Sequence, residues 1–122
     1  MQIDFNSDKP IFLQIAEQLE DAILAQAFEE DSQIPSITEI SASYKINPAT
    51  ALKGINLLVN DGIVYKKRGM GMFVAENARE KLREKRRGAF FEEYVSRLIE
   101  EAERLNISKE EIGLMIDRGF KK

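Results

Sequence analysis

Between Ser36 and Val74 the sequence spells two short helices divided by a tight break, then two β-rich triplets divided by glycines. Ser36-Ile37-Thr38-Glu39 is a capping box, in which the serine hydroxyl and the glutamate carboxylate each satisfy a backbone N–H that a first helical turn leaves unpaired. A helix starting there runs only to about Tyr44. Lys45-Ile46 breaks it, and Asn47-Pro48 starts another with a good N-cap and a proline at the first helical position, where its missing N–H does no harm. Ala51, Ile55, Leu58 and Val59 give that helix a buried side, and Asn60-Asp61-Gly62 ends it, with Gly62 suited to a left-handed cap. The period then changes. Ile63-Val64-Tyr65 and Met72-Phe73-Val74 favour strands, and Lys66-Lys67-Arg68-Gly69-Met70-Gly71 between them makes a hairpin turn with a basic tip.

Short helix, tight turn, helix and basic hairpin is the layout of a winged helix-turn-helix. The flanking segments fit it. Residues 8–26 read as an amphipathic helix, with Asp8 as N-cap and Pro10 in the first turn, and Ile11, Ile15, Leu19, Ala22 and Ile23 on one face. Residues 27–36 have polar, turn-forming character and no helical period. From Glu76 the chain is charged and helical to about Leu105, with Gly88 as its soft point. Ser108-Lys109-Glu110-Glu111 is a second capping box that opens a short last helix. The expected fold is mainly α with a small β-hairpin wing. A winged helix-turn-helix over residues 1–75 precedes a two-helix dimerisation region over residues 76–122.

Composition narrows the chemistry. The 122 residues contain no Cys and no His, which removes thiolate and imidazole metal ligands, cysteine nucleophiles and the commonest general base. No enzyme, cofactor or metal is expected. No apolar run approaches the roughly 18 residues that span a bilayer, and the N-terminus lacks the pattern of a signal peptide, so the expected location is cytoplasmic, with no membrane partner. The net charge of −3 speaks against a polyanion as ligand until it is divided along the chain. Residues 1–35 carry −7, residues 36–75 carry +3 and residues 76–122 carry +1. The helix-turn-helix and its wing are the basic part.

That distribution marks double-stranded DNA as the partner and names the residues to meet it. A recognition helix lies in the major groove with its first turns near base edges, while the helix before it crosses the backbone. The candidates are Asn47, Pro48, Ala49, Thr50, Lys53 and Asn56 on the second short helix. Ser36 and Thr38 at the start of the first face phosphate, and Lys66, Lys67, Arg68, Gly69 and Gly71 stand at the hairpin tip. Strand alternation points Lys66 and Arg68 one way and Lys67 the other, so two of the three reach DNA together. The run Arg79 to Arg87 reads as a solvated helix face paired internally through Glu80 and Glu84. Phe91, Val95, Leu98, Ala102 and Leu105 form a seam of alternating four and three spacing, with Phe90, Tyr94 and Ile99 beside it. One helix cannot bury two such stripes, and a homodimer is expected to cover them. The alternative is a winged helix that mediates protein contact through its basic tip, without operator binding.

From Asp8 to Val74 the chain resembles the DNA-binding domain of the GntR family of bacterial transcription regulators. The matching residues are Asp8, Pro10, Phe12, Gln14-Ile15, Ile34-Pro35-Ser36, Glu39-Ile40, Thr50, Leu58, Gly62 and Arg68-Gly69-Met70-Gly71-Met72-Phe73-Val74. Asn47-Pro48-Ala49-Thr50 and the short helical tail look like the family's small YtrA-type branch. The resemblance implies a homodimeric operator-binding regulator, usually a repressor, with an effector left open. The family often has arginine where Thr38 and Lys53 stand, glycines where Gln26 and Asp31 stand, and alanine at Gly54. Gly54 is expected to cost its helix about 1 kcal/mol relative to alanine. The missing arginines imply weak non-specific affinity and dependence on dimerisation and base contacts.

Overall fold

A computed structural model describes residues 2–121. They fall into two compact units that divide between Glu84 and Lys85. Helix α1 spans Ile11–Leu24, α2 Ile37–Tyr44 and α3 Pro48–Asn60. Strands β1 (Val64–Lys67) and β2 (Gly71–Val74) follow, then α4 (Ala78–Phe90), a π-helical segment (Phe91–Val95), α5 (Ser96–Arg104) and α6 (Lys109–Phe120). No helix among the described residues is long and apolar enough to cross a membrane.

In the first unit α1 and α3 pack face to face. Ile15, Leu19 and Ile23 of α1 meet Ala51, Ile55 and Leu58 of α3 in one fully buried cluster, closed by Ile34, Ile40, Ile63, Val64 and Val74. Of the residues expected on these faces, Ile11, Ala22 and Val59 are only half-buried. The two helices approach closely at Gly54, where a β-carbon would lie 2.8 Å from the Phe12 carbonyl oxygen. The expected gain from alanine there is therefore not open to this chain.

The start of α1 departs from expectation. Asp8 is not its N-cap: the cap is Pro10, whose ring offers no hydrogen-bond acceptor. The buried amide of Gln14 takes over the ordering of the N-terminal segment. Its Nε2 donates to the carbonyls of Asp4 and Lys9, and its Oε1 accepts from the Asp4 N–H at 2.8 Å. The segment after α1 is also more ordered than its composition indicates. Residues 31–34 run antiparallel along β2, with N–H to carbonyl bonds from Asp31 to Val74, Val74 to Ser32 and Ile34 to Met72 at 2.8–3.0 Å. They add a third ribbon to the hairpin.

The first unit reaches past Ala75 to Glu84, because Ala78 and Leu82 of α4 are completely buried in its core. Arg79 Nε donates to the carbonyl of Leu24, the last residue of α1, at 3.2 Å, and Lys81 Nζ donates to the Gly62 carbonyl just beyond α3 at 3.1 Å. Both cations sit where a helix leaves carbonyls unpaired and its dipole is negative.

In the second unit the helical residues do not soften at Gly88, which lies within regular α4. The departure is the π-helical turn at Phe91–Val95, one residue wider than α geometry. The second capping box forms as read: Ser108 Oγ accepts from the Glu111 N–H, and Glu111 Oε1 accepts from the Ser108 N–H, both at 3.1 Å.

Candidate nucleic-acid interface

The capping box at Ser36 sets the start of α2. Its hydroxyl accepts from the Glu39 N–H at 3.0 Å, and Glu39 Oε1 accepts from the Ser36 N–H at 3.1 Å. Lys45 takes a left-handed conformation (φ 55°) and turns the chain, and Asn47 caps α3 through its Oδ1 to the Ala49 N–H at 2.8 Å. Thr50 and Ala51 donate to the Asn47 carbonyl. With Pro48 lacking an N–H, the first amides of α3 are all engaged. At the start of α2, by contrast, the capping box leaves the N–H groups of Ile37 and Thr38 without an intrahelical partner.

The outward face of α3 carries the residues expected from the sequence. Asn47, Pro48, Ala49, Lys53 and Asn56 are exposed and Thr50 is half-buried. Ala49, Leu52, Lys53, Asn56, Leu57 and Asn60 line one shallow groove along the helix. Leu52 was not among the candidates, yet it is 38% exposed in the middle of this face. Lys53 is drawn sideways: its ammonium lies 4.1 Å from the centre of the Phe12 ring, a cation–π contact worth about 0.5–1 kcal/mol at a surface. At the start of α2, Thr38 is exposed and Ser36 half-buried.

The hairpin pairs Lys67 with Gly71, so Lys66 and Lys67 lie within β1 and the turn contracts to Arg68-Gly69-Met70. Met70 N–H closes it on the Lys67 carbonyl at 2.9 Å, with Gly69 at φ 76°. Lys66, Lys67, Arg68 and Gly69 are all exposed. Lys67 folds back over the Phe73 ring, 4.7 Å from its centre. The wing is held from the third ribbon. Gln33 Nε2 donates to the Met70 carbonyl at 2.8 Å, and it packs so closely on Gly71 (φ 120°) that a β-carbon there would meet it at 2.5 Å. Tyr65 donates to Asp31 Oδ1 at 3.1 Å, and desolvation together with that carboxylate raises its phenol above the ordinary value. Neither Gln33 nor Tyr65 stood out in the sequence, because the ribbon that brings Gln33 and Asp31 to the wing has no periodic signature.

In the second unit Phe90, Phe91, Tyr94, Leu98, Ile99 and Leu105 are exposed, as surface awaiting a cover would be. Val95 is half-buried. Ala102 departs from that set: its own chain buries it to 6% exposure. Helix α6 adds Leu114, Met115, Ile116 and Phe120, the last 87% exposed. The Phe90 and Tyr94 rings lie against each other with centres 5.3 Å apart, tilted by 41°.

Comparison with known proteins agrees with this geometry. The HTH-type transcriptional regulator YhcF of Bacillus subtilis (strain 168) is 32% identical over 92% of this chain and 91% of its own. The HTH-type transcriptional repressor YtrA of the same organism is 33% identical over 67% of this chain and 63% of its own. A GntR-family regulator from Bacteroides thetaiotaomicron superposes with a TM-score of 0.73 at 32% identity, covering 91% of this chain and 96% of that one. The DNA-binding domain of AraR, solved in complex with operator ORE1, superposes with a TM-score of 0.54 at 28% identity over 62% of this chain and 94% of that one. The sequence profile of the bacterial regulatory proteins of the gntR family matches residues 12–74. The chain belongs to that family, among regulators similar to YtrA and not among enzymes.

Proposed function

We propose that the protein is a homodimeric repressor that binds a two-fold symmetric DNA operator in the cytoplasm. The observation that carries this reading is the division of α3. Its inner face is sealed against α1 by Ala51, Ile55 and Leu58, while its outer face presents Asn47, Pro48, Ala49, Lys53 and Asn56 from the first turn onward. Such a helix lies in the major groove with its outer face toward base edges. The start of α2 and the wing residues Lys66, Arg68 and Gly69 supply phosphate contacts to either side. The exposed apolar residues of the second unit give the dimer its surface, and a dimer doubles the +3 charge of the helix-turn-helix and wing. The AraR DNA-binding domain, which superposes on 62% of this chain, was solved in complex with an operator, which supports the same mode here.

Selection of bound sequences from random duplex DNA tests the reading. A two-fold symmetric motif with half-sites about one helical turn apart is the expected result. Absence of any enriched motif, with the basic wing instead capturing acidic protein, would establish the protein-contact alternative.

A further inference from the structure

We infer that the recognition helix reads A·T pairs, with Asn56 specifying adenine and Leu52, together with Ala49, specifying thymine through its methyl group. The inference rests on the operator-binding reading and deepens it. The groove along α3 holds two kinds of chemistry. One is the exposed carboxamide of Asn56, whose carbonyl and amino groups match the N6 donor and N7 acceptor that adenine alone offers in the major groove. The other is apolar: Leu52 and Ala49 lie one and two turns toward the helix start on the same face, exposed where a soluble helix ordinarily places polar groups. An apolar side chain on a base-reading face has one specific partner in B-DNA, the C5-methyl group of thymine.

Guanine finds no comparable match. Its major-groove edge presents two acceptors and is read best by the fork of an arginine. No arginine lies on α2 or α3. The one cation on the outward face of α3, Lys53, is held over the Phe12 ring beside α1, a position that suits a flanking phosphate better than a base edge. Asn47, at the start of α3, has its oxygen engaged as the helix cap, and Asn60, the second carboxamide along the groove, stands at the last residue of the helix. Asn56, Leu52 and Ala49 are then the groove residues placed to meet bases, and the carboxamide and the apolar pair select the same base pair.

The decisive experiment leaves the protein unaltered. In a duplex recovered by selection, thymines facing α3 are replaced by uracil, which keeps every hydrogen-bonding group and removes only the methyl. Affinity is expected to fall roughly three- to four-fold for each buried methyl lost. In Leu52→Ala the same replacement is expected to cost distinctly less, since Ala49 alone is left to meet a methyl. Asn56→Ala is expected to relax the preference for adenine at one position per half-site by roughly ten-fold. A motif with guanine at the positions facing α3, lost on Lys53→Ala, would overturn the A·T assignment and leave operator binding intact. Equal binding of thymine and uracil duplexes would overturn the role of Leu52. Failure to enrich any duplex would overturn operator binding itself, and this inference with it.

Discussion

Gln26, Gly62 and Asn106 hold the same place in three helix ends. Each follows the last helical turn with a positive φ (64°, 73° and 56°) and donates its N–H back three residues, while the next residue donates back five. Glycine adopts this left-handed geometry without penalty, asparagine tolerates it, and glutamine is the poor choice. Gln26→Gly is therefore expected to stabilise the protein by about 0.5–1 kcal/mol, the relief of strain being partly offset by the freedom glycine gains when unfolded. Urea unfolding measures it, and a loss of stability would show that the Gln26 side chain earns its place by contacts. Gly54 makes the opposite case. Helix propensity favours alanine there by about 1 kcal/mol, but its β-carbon would press on the Phe12 carbonyl and on Ile15. Gly54→Ala should destabilise by about 1–3 kcal/mol, the usual range for overpacking a core, and a gain would mean that α1 can move away.

At the scale of elements, the sequence was readable at most places where a local rule sets the structure, the N-cap expected at Asp8 being the exception. Ser36, Asn47-Pro48, Gly62 and Ser108 each fix a helix boundary through bonds made within a few residues, and every one of those boundaries appears. The third ribbon was not readable. It alternates only over Ser32, Gln33 and Ile34, and its ladder partner Phe73 lies far along the chain. The π turn was hidden for another reason: four and three spacing across residues 91–105 fits a regular helix equally well, and the extra residue leaves no compositional trace. The wing shows what such long-range placement does to function. Sequence alternation divided its three cations but could not say which of them is engaged, and the structure puts Lys67 on the Phe73 ring. Lys66→Ala and Arg68→Ala are each expected to lower the slope of log affinity against log salt by about one, and Lys67→Ala by distinctly less. Equal effects from all three would mean that Lys67 leaves the ring on binding.

At the scale of the whole molecule, the acidic composition and the proposed polyanionic ligand coexist because charges are assigned by position. The excess acid lies in residues 1–35. Of the cations in the 79–87 run, Arg79 and Lys81 bind carbonyls at the ends of α1 and α3, and Arg83 pairs with Glu80 at 2.8 Å. The run was read from sequence as a helix face paired internally through carboxylates, and its first members turn out to hold backbone as well. The same bonds decide how much of the chain the DNA-binding unit requires. A fragment of residues 1–84 should unfold cooperatively, whereas one ending at Ala75 loses Ala78 and Leu82 from the core and should lose several kcal/mol of stability. Thermal melting of the two fragments, followed by circular dichroism, compares them directly, and equal midpoints would show that α4 contributes nothing to the core.

The fastening of α4 to the ends of α1 and α3 also bears on how regulators of this build diversify. The wing ends at Val74, so Ala75 looks like the natural seam at which one tail could be exchanged for another. A graft made there would discard the residues that close the core and cap two helices. The serviceable seam is after Glu84, and any tail inherited at that point arrives on a helix already begun by the domain that receives it.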